Sequence, residues 1–75
     1  MSRVLIVEDE VVIRAELRRL LARAGYEVNE AGSVAEASAS FELDAFDLII
    51  SDLRLPGAPG TELITLAAPA PVVVM

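Results

Sequence analysis

Val4-Leu5-Ile6-Val7-Glu8-Asp9-Glu10 decides the fold of this 75-residue chain: four consecutive aliphatic residues run straight into three acids. A strand with one wet face alternates apolar and polar residues, whereas an unbroken run suits a parallel strand covered on both sides. The acids fall at its carboxyl end, the rim where open α/β sheets bind ligands. Directly after them, Ile13, Leu17, Leu20, Leu21 and Ala24 recur at three- and four-residue steps. That period predicts a helix over about Glu10–Ala24 with one apolar stripe. Glu10 stands four residues before Arg14, and Glu16 three before Arg19, on its wet sides. Acids at the start and Arg23 near the end suit the helix dipole, and Gly25 is the expected stop.

Further along, Tyr26–Ala31 reads as a second strand with Tyr26 and Val28 pointing the same way. Ser33 followed by Glu36 is a capping-box pattern opening a helix through about Phe41. Leu48-Ile49-Ile50-Ser51 is a third strand with Asp52 at its carboxyl end. Leu53–Gly60, holding Pro56, Gly57, Pro59 and Gly60, predicts a loop. A short helix over Thr61–Ala67 follows, closed by Pro69 and Pro71, and Val72–Met75 is a fourth strand. The order β-α-β-α-β-α-β implies an α/β fold, an open parallel sheet with right-handed crossovers. The last strand has nothing after it to cover its edge, which parallel sheets ordinarily require. The expectation is therefore one incomplete domain over residues 1–75.

Composition limits the function. The chain is 55% hydrophobic with a mean hydropathy of +0.56 and 24% charged residues, so it is built to pack rather than to stay disordered. Twelve acids against six arginines give a net charge of −6, which argues against direct nucleic-acid or anionic-membrane binding by this segment. There is no cysteine, histidine or lysine. Disulfides, thiolate metal sites and imidazole chemistry are thereby excluded. No apolar stretch exceeds four residues, far below the roughly 20 that span a bilayer. A lone Arg3 ahead of the first strand is not a signal peptide. A cytoplasmic location is the expectation.

Glu8, Asp9 and Asp52 are the candidate chemistry. If the first and third strands are neighbours, about 4.8 Å apart, their terminal carboxylates converge. Crowded carboxylates repel, raising the affinity of at least one for a proton, and a hard cation such as Mg²⁺ relieves the repulsion. Each acid also has a plain structural reading: Glu8, Asp9 and Glu10 as helix N-terminal acids, Asp52 as a turn-starting residue. Other sites are less compatible. No glycine-rich turn follows the first strand, as a dinucleotide site needs, and no P-loop lysine exists. Asp52-Leu53-Arg54 lacks the second acid of an Asp-x-Asp metal pair.

Val4–Glu10, Gly25-Tyr26-Glu27-Val28 and Asp47–Gly57 together resemble receiver domains of two-component response regulators, from Arg3 to Met75. The resemblance implies a flavodoxin-like receiver fold with strand order 2-1-3-4, its fifth βα unit missing from this chain. It implies that Asp52 is the phosphoacceptor. Glu8 and Asp9 match the acidic pair that binds Mg²⁺, Asp9 directly and Glu8 through water, with Asp52 itself and the backbone carbonyl of Arg54 completing the protein ligands. The implied function is a signalling receiver that takes a phosphoryl group from a sensor histidine kinase, to control a transcription-regulating output domain. Such a domain takes part in its own phosphotransfer and is not a conventional enzyme. The alternative is a receiver-like interaction module that does not turn over phosphate. The family's Thr or Ser after the fourth strand and Lys after the fifth are not in this sequence, so poor retention of phosphate is expected of the chain by itself. The uncovered fourth-strand edge and a bare face of the first helix also predict self-association.

Overall fold

The computed structural model describes residues 2–52 and 62–75. Its elements are β1 (Arg3–Val7), α1 (Val11–Arg23), β2 (Glu27–Ala31), α2 (Val34–Ser40), a 3₁₀ turn (Leu43–Ala45), β3 (Leu48–Ser51), α3 (Glu62–Leu66) and β4 (Val72–Val74). The four strands form one sheet in the order β2-β1-β3-β4. Every pairing is parallel, so the order is the 2-1-3-4 that the resemblance implies. Val7 is level with Ala31 on one side and with Ser51 on the other. The first residues past β1 and β3 therefore emerge together on one rim.

The continuous apolar run of β1 does what its composition predicts: Val4, Leu5, Ile6 and Val7 are all at most 1% exposed. Leu5, Val7, Ala31 and Ile49 share the face that packs against Val34, Ala37, Leu43, Phe46, Leu63 and Ala67. Phe41 meets Phe46 edge to face with ring centroids 5.7 Å apart, an arrangement the ring quadrupoles favour. The other face is thinner. Beside Val4 and Ile6, Leu48 and Ile50 of β3 are half-buried, and Val73 of β4 is 49% exposed.

Several sequence expectations need correction. The stripe on α1 does not become a buried one: Leu17 and Leu21 are half-buried, but Ile13 and Leu20 are 46% and 57% exposed. The helix packs on β1 and β2, so only the flank turned toward β2 is covered. Tyr26 precedes β2 rather than belonging to it. Its N–H donates to the Leu21 carbonyl at 3.1 Å, within the turn that Gly25 makes at φ +98°, a conformation glycine adopts without strain. Ser33 caps α2 by accepting from the Glu36 N–H at 3.1 Å, as its pattern predicts. The Glu36 carboxylate, however, takes the N–H of Gly32 at 2.8 Å, one residue beyond the cap. Glu16 and Arg19 pair at 2.8 Å, whereas Arg14 turns away from Glu10 toward Glu30 at 3.4 Å. The loop Leu53–Gly60 and the start of the third helix at Thr61 lie outside the described residues.

Candidate metal centre

The backbone ladder carries the acids to their places. The Asp52 N–H donates to the Val7 carbonyl at 3.1 Å and the Glu8 N–H to the Ala31 carbonyl at 3.0 Å. Each bond extends the parallel pairing one residue past its strand. Glu8 and Asp52 are thereby held on adjacent strands at the same height, and Asp9 follows where the chain turns into α1. Glu8 is only 2% exposed, Asp52 is half-buried and Asp9 is exposed.

One carboxylate oxygen from each of Glu8, Asp9 and Asp52 lies within 4.8 Å of the other two. Opposite ligands of an octahedral Mg²⁺ stand about 4.2 Å apart, twice its 2.1 Å bond length. Three oxygen donors at this separation, one buried and one open to solvent, fit a hard cation that keeps part of its water shell. The electrostatics point the same way. Burial raises the pKa of Glu8 above its ordinary value, and the charges of Asp52 and Asp9 add to the rise. The Glu10 N–H, donating to Glu8 Oε1 at 3.1 Å, opposes it in part.

A raised carboxyl pKa means that the folded state holds this proton more tightly than the unfolded one. The stabilisation from Glu8 is fully present below its ordinary 4.5 and is lost as pH rises through its elevated folded value. Glu8→Gln removes a buried charge while keeping the shape. In EDTA its melting temperature should exceed that of the parent at pH 7, with the gap closing toward pH 4; each kcal/mol is worth about 4–8 °C in a domain of this size. A variant equal to or below the parent at pH 7 would show that Glu8 is not an electrostatic burden.

Two nearby residues escaped the sequence reading. Ser51 is fully buried and its hydroxyl donates to the Asp52 carbonyl at 3.0 Å. Arg14 Nη1 donates to the Glu8 carbonyl at 2.8 Å. The available signal for Arg14 was its place three and seven residues before Leu17 and Leu21, on the inward flank of α1 rather than a wet side. The Arg54 carbonyl lies outside the described residues.

A parallel 2-1-3-4 sheet with acids gathered on its carboxyl rim is the flavodoxin-like architecture of receiver domains. The chain belongs to the response regulator receiver domain family, whose model matches residues 4–74. It is 43% identical to the transcriptional regulatory protein PdtaR of Mycobacterium tuberculosis, over 97% of this chain and 38% of that relative's length. The non-phosphorylated HemR receiver domain from Leptospira biflexa superposes with a TM-score of 0.86 at 32% identity, over 99% of this chain and 63% of the other. The response regulator TrrA of Thermotoga maritima, in complex with Mg²⁺ and beryllofluoride, superposes with a TM-score of 0.78 at 38% identity. That match covers 87% of this chain and 56% of TrrA. No helix among the described residues is long and apolar enough to cross a membrane.

Proposed function

We propose that Asp52 accepts a phosphoryl group from a sensor histidine kinase and that Glu8 and Asp9, with Asp52 itself, hold the Mg²⁺ the transfer needs. The observation that carries this reading is the meeting of these three carboxylates within 4.8 Å, on a chain of the receiver family. An Asp52 oxygen attacks phosphorus in line as the bond from phosphorus to the donor's imidazole nitrogen breaks. The product is an acyl phosphate on Asp52, and the released imidazole takes a proton from water if it needs one. A carboxylate is ionised at neutral pH and attacks without a general base, so the absence of histidine is no obstacle. Mg²⁺, when bound, neutralises charge on the phosphoryl oxygens. Glu8 and Asp9 hold negative charge at the rim for that purpose, and burial of Glu8 limits the water around it. The beryllofluoride complex of TrrA supports using the same phosphoryl mimic as a probe. Because PdtaR is named a transcriptional regulatory protein, the reading extends to control of transcription by an output region. The Arg54 carbonyl is proposed as the remaining protein ligand.

Incubation with acetyl phosphate and Mg²⁺ tests the proposal by intact mass. The expected result is a gain of one phosphoryl group that EDTA prevents and hydroxylamine removes. No gain at saturating donor and Mg²⁺ favours an interaction module that turns over no phosphate.

A further inference from the structure

Just past the β1 ladder, the Glu8 carbonyl belongs to a residue only 2% exposed. The neighbouring groups are committed, the Val7 carbonyl to the Asp52 N–H and the Glu8 N–H to the Ala31 carbonyl. A buried carbonyl beyond the last ladder bond needs a donor from elsewhere. Arg14, in the first turns of α1, supplies it: Nη1 reaches the Glu8 oxygen at 2.8 Å. On its other edge Nε faces Glu30 Oε1 at 3.4 Å. Glu30, on β2, is itself held by Arg18 at 3.1 Å. The guanidinium is thus fixed at two points, one just past β1 and one on β2, its planar fork using separate donors for each. Gly32, one residue past β2, makes the room. A Cβ there would stand 3.2 Å from Arg14 Nη1 and 3.1 Å from Glu36 Oε2, so both side-chain ends would have to give by a few tenths of an ångström.

We infer that Arg14 is a positioning residue: anchored by Glu30 and admitted by Gly32, it fixes the peptide joining Glu8 to Asp9 and so the direction in which the Asp9 carboxylate leaves the rim. The consequence for metal binding rests on the phosphoacceptor reading; the anchoring of the peptide does not. Arg14 touches neither phosphate nor metal in this role. It acts through the Glu8 carbonyl, as outer groups commonly orient metal ligands.

The test uses Arg14→Gln and Arg14→Lys in the whole 75-residue chain, with two readouts. Without metal, the carbonyl carbon resonance of Glu8 and the exchange rate of the Glu10 amide report on the peptide. With MgCl₂ alone, amide shifts give the Mg²⁺ dissociation constant. Arg14→Gln should displace the Glu8 resonance, speed Glu10 exchange and weaken Mg²⁺ about 10-fold. Arg14→Lys, which keeps the charge but loses the fork, should fall between Gln and the parent. A purely structural arginine would lower the melting temperature and leave the Mg²⁺ constant of the folded variant unchanged, which would overturn the inference. So would a native Glu8 resonance in Arg14→Gln. Should Arg14→Gln fail to fold, Gly32→Ala keeps the arginine and crowds its Nη1; it must displace the same resonance, and a native one refutes the role. A parent chain without Mg²⁺ affinity removes the phosphoacceptor reading, and the metal-free resonance and exchange then decide Arg14 by themselves.

Discussion

Asp52→Asn should leave the chain folded and unable to gain mass from acetyl phosphate at any Mg²⁺ concentration. A carboxamide is a poor nucleophile and forms no stable acyl phosphate, so the loss is complete rather than graded. Specificity makes the result informative, because Glu8 and Asp9 each bring a carboxylate oxygen within 4.8 Å of one from Asp52. If either could take the phosphoryl group, Asp52→Asn would still gain mass. For Glu8 the surroundings argue against it: its side chain is buried, and its Oε1 already accepts from the Glu10 N–H. Folding should survive because the Asp52 side chain contributes charge to a crowded rim, and its charge is one cause of the Glu8 rise. Neutralising it lowers that rise, so the metal-free melting temperature at pH 7 should equal or exceed the parent's. Mg²⁺ affinity should fall as one of three carboxylates is lost, by about 10-fold or more. Intact mass, thermal denaturation in EDTA and an Mg²⁺ titration measure the three effects. A phosphorylated Asp52→Asn protein would move the acceptor elsewhere on the rim.

The parts of the fold legible in the sequence are those where one local pattern has one physical reading. Val4–Val7 admits little besides a strand covered on both faces, and all four residues are buried. Leu48–Ser51 is a strand over the residues its pattern marks. Ser33 with Glu36 opens α2 where expected. The approach of Glu8, Asp9 and Asp52 was legible only by joining two such strands with a neighbour relation, which the resemblance provided. What was not legible depends on tertiary partners. The period of α1 fixes a helix but not how much of its stripe is covered, so Ile13 and Leu20 remain largely exposed. Arg14 has a carboxylate four residues before it and another on β2, and sequence distance favours the wrong one; the strand supplies the better-placed partner together with a carbonyl to bind. Leu43–Ala45 makes a single 3₁₀ turn, too short for periodicity to register, yet it delivers Leu43 to the core.

Ile49→Ala should come close to unfolding the domain, whereas Ile50→Ala on the same strand should be tolerated. The two residues are adjacent and chemically identical, so only the face of the sheet distinguishes them. Ile49 is fully buried and pairs in register with Leu5 and Val72, within the cluster that includes Phe46 and Leu63. Truncation there loses buried methylenes and leaves a cavity within the shared core, with a cost of about 2–5 kcal/mol. A 75-residue domain has about 4–11 kcal/mol in total, and small domains bury proportionally less surface than large ones, so one such change consumes much of the margin. Ile50 looks toward the thinner face, where Leu48 is half-buried and Val73 is 49% exposed. Its neighbours can close in and part of its surface is already wet, so its truncation should cost about 1 kcal/mol. Urea denaturation of both variants in EDTA measures the difference. With Mg²⁺ bound at the rim as proposed, the unfolded fraction of Ile49→Ala should recover as Mg²⁺ is added, by mass action on the folded state alone. Equal destabilisation by the two alanines would mean that β3 is packed alike on both faces, contrary to the thinner cover over Ile50.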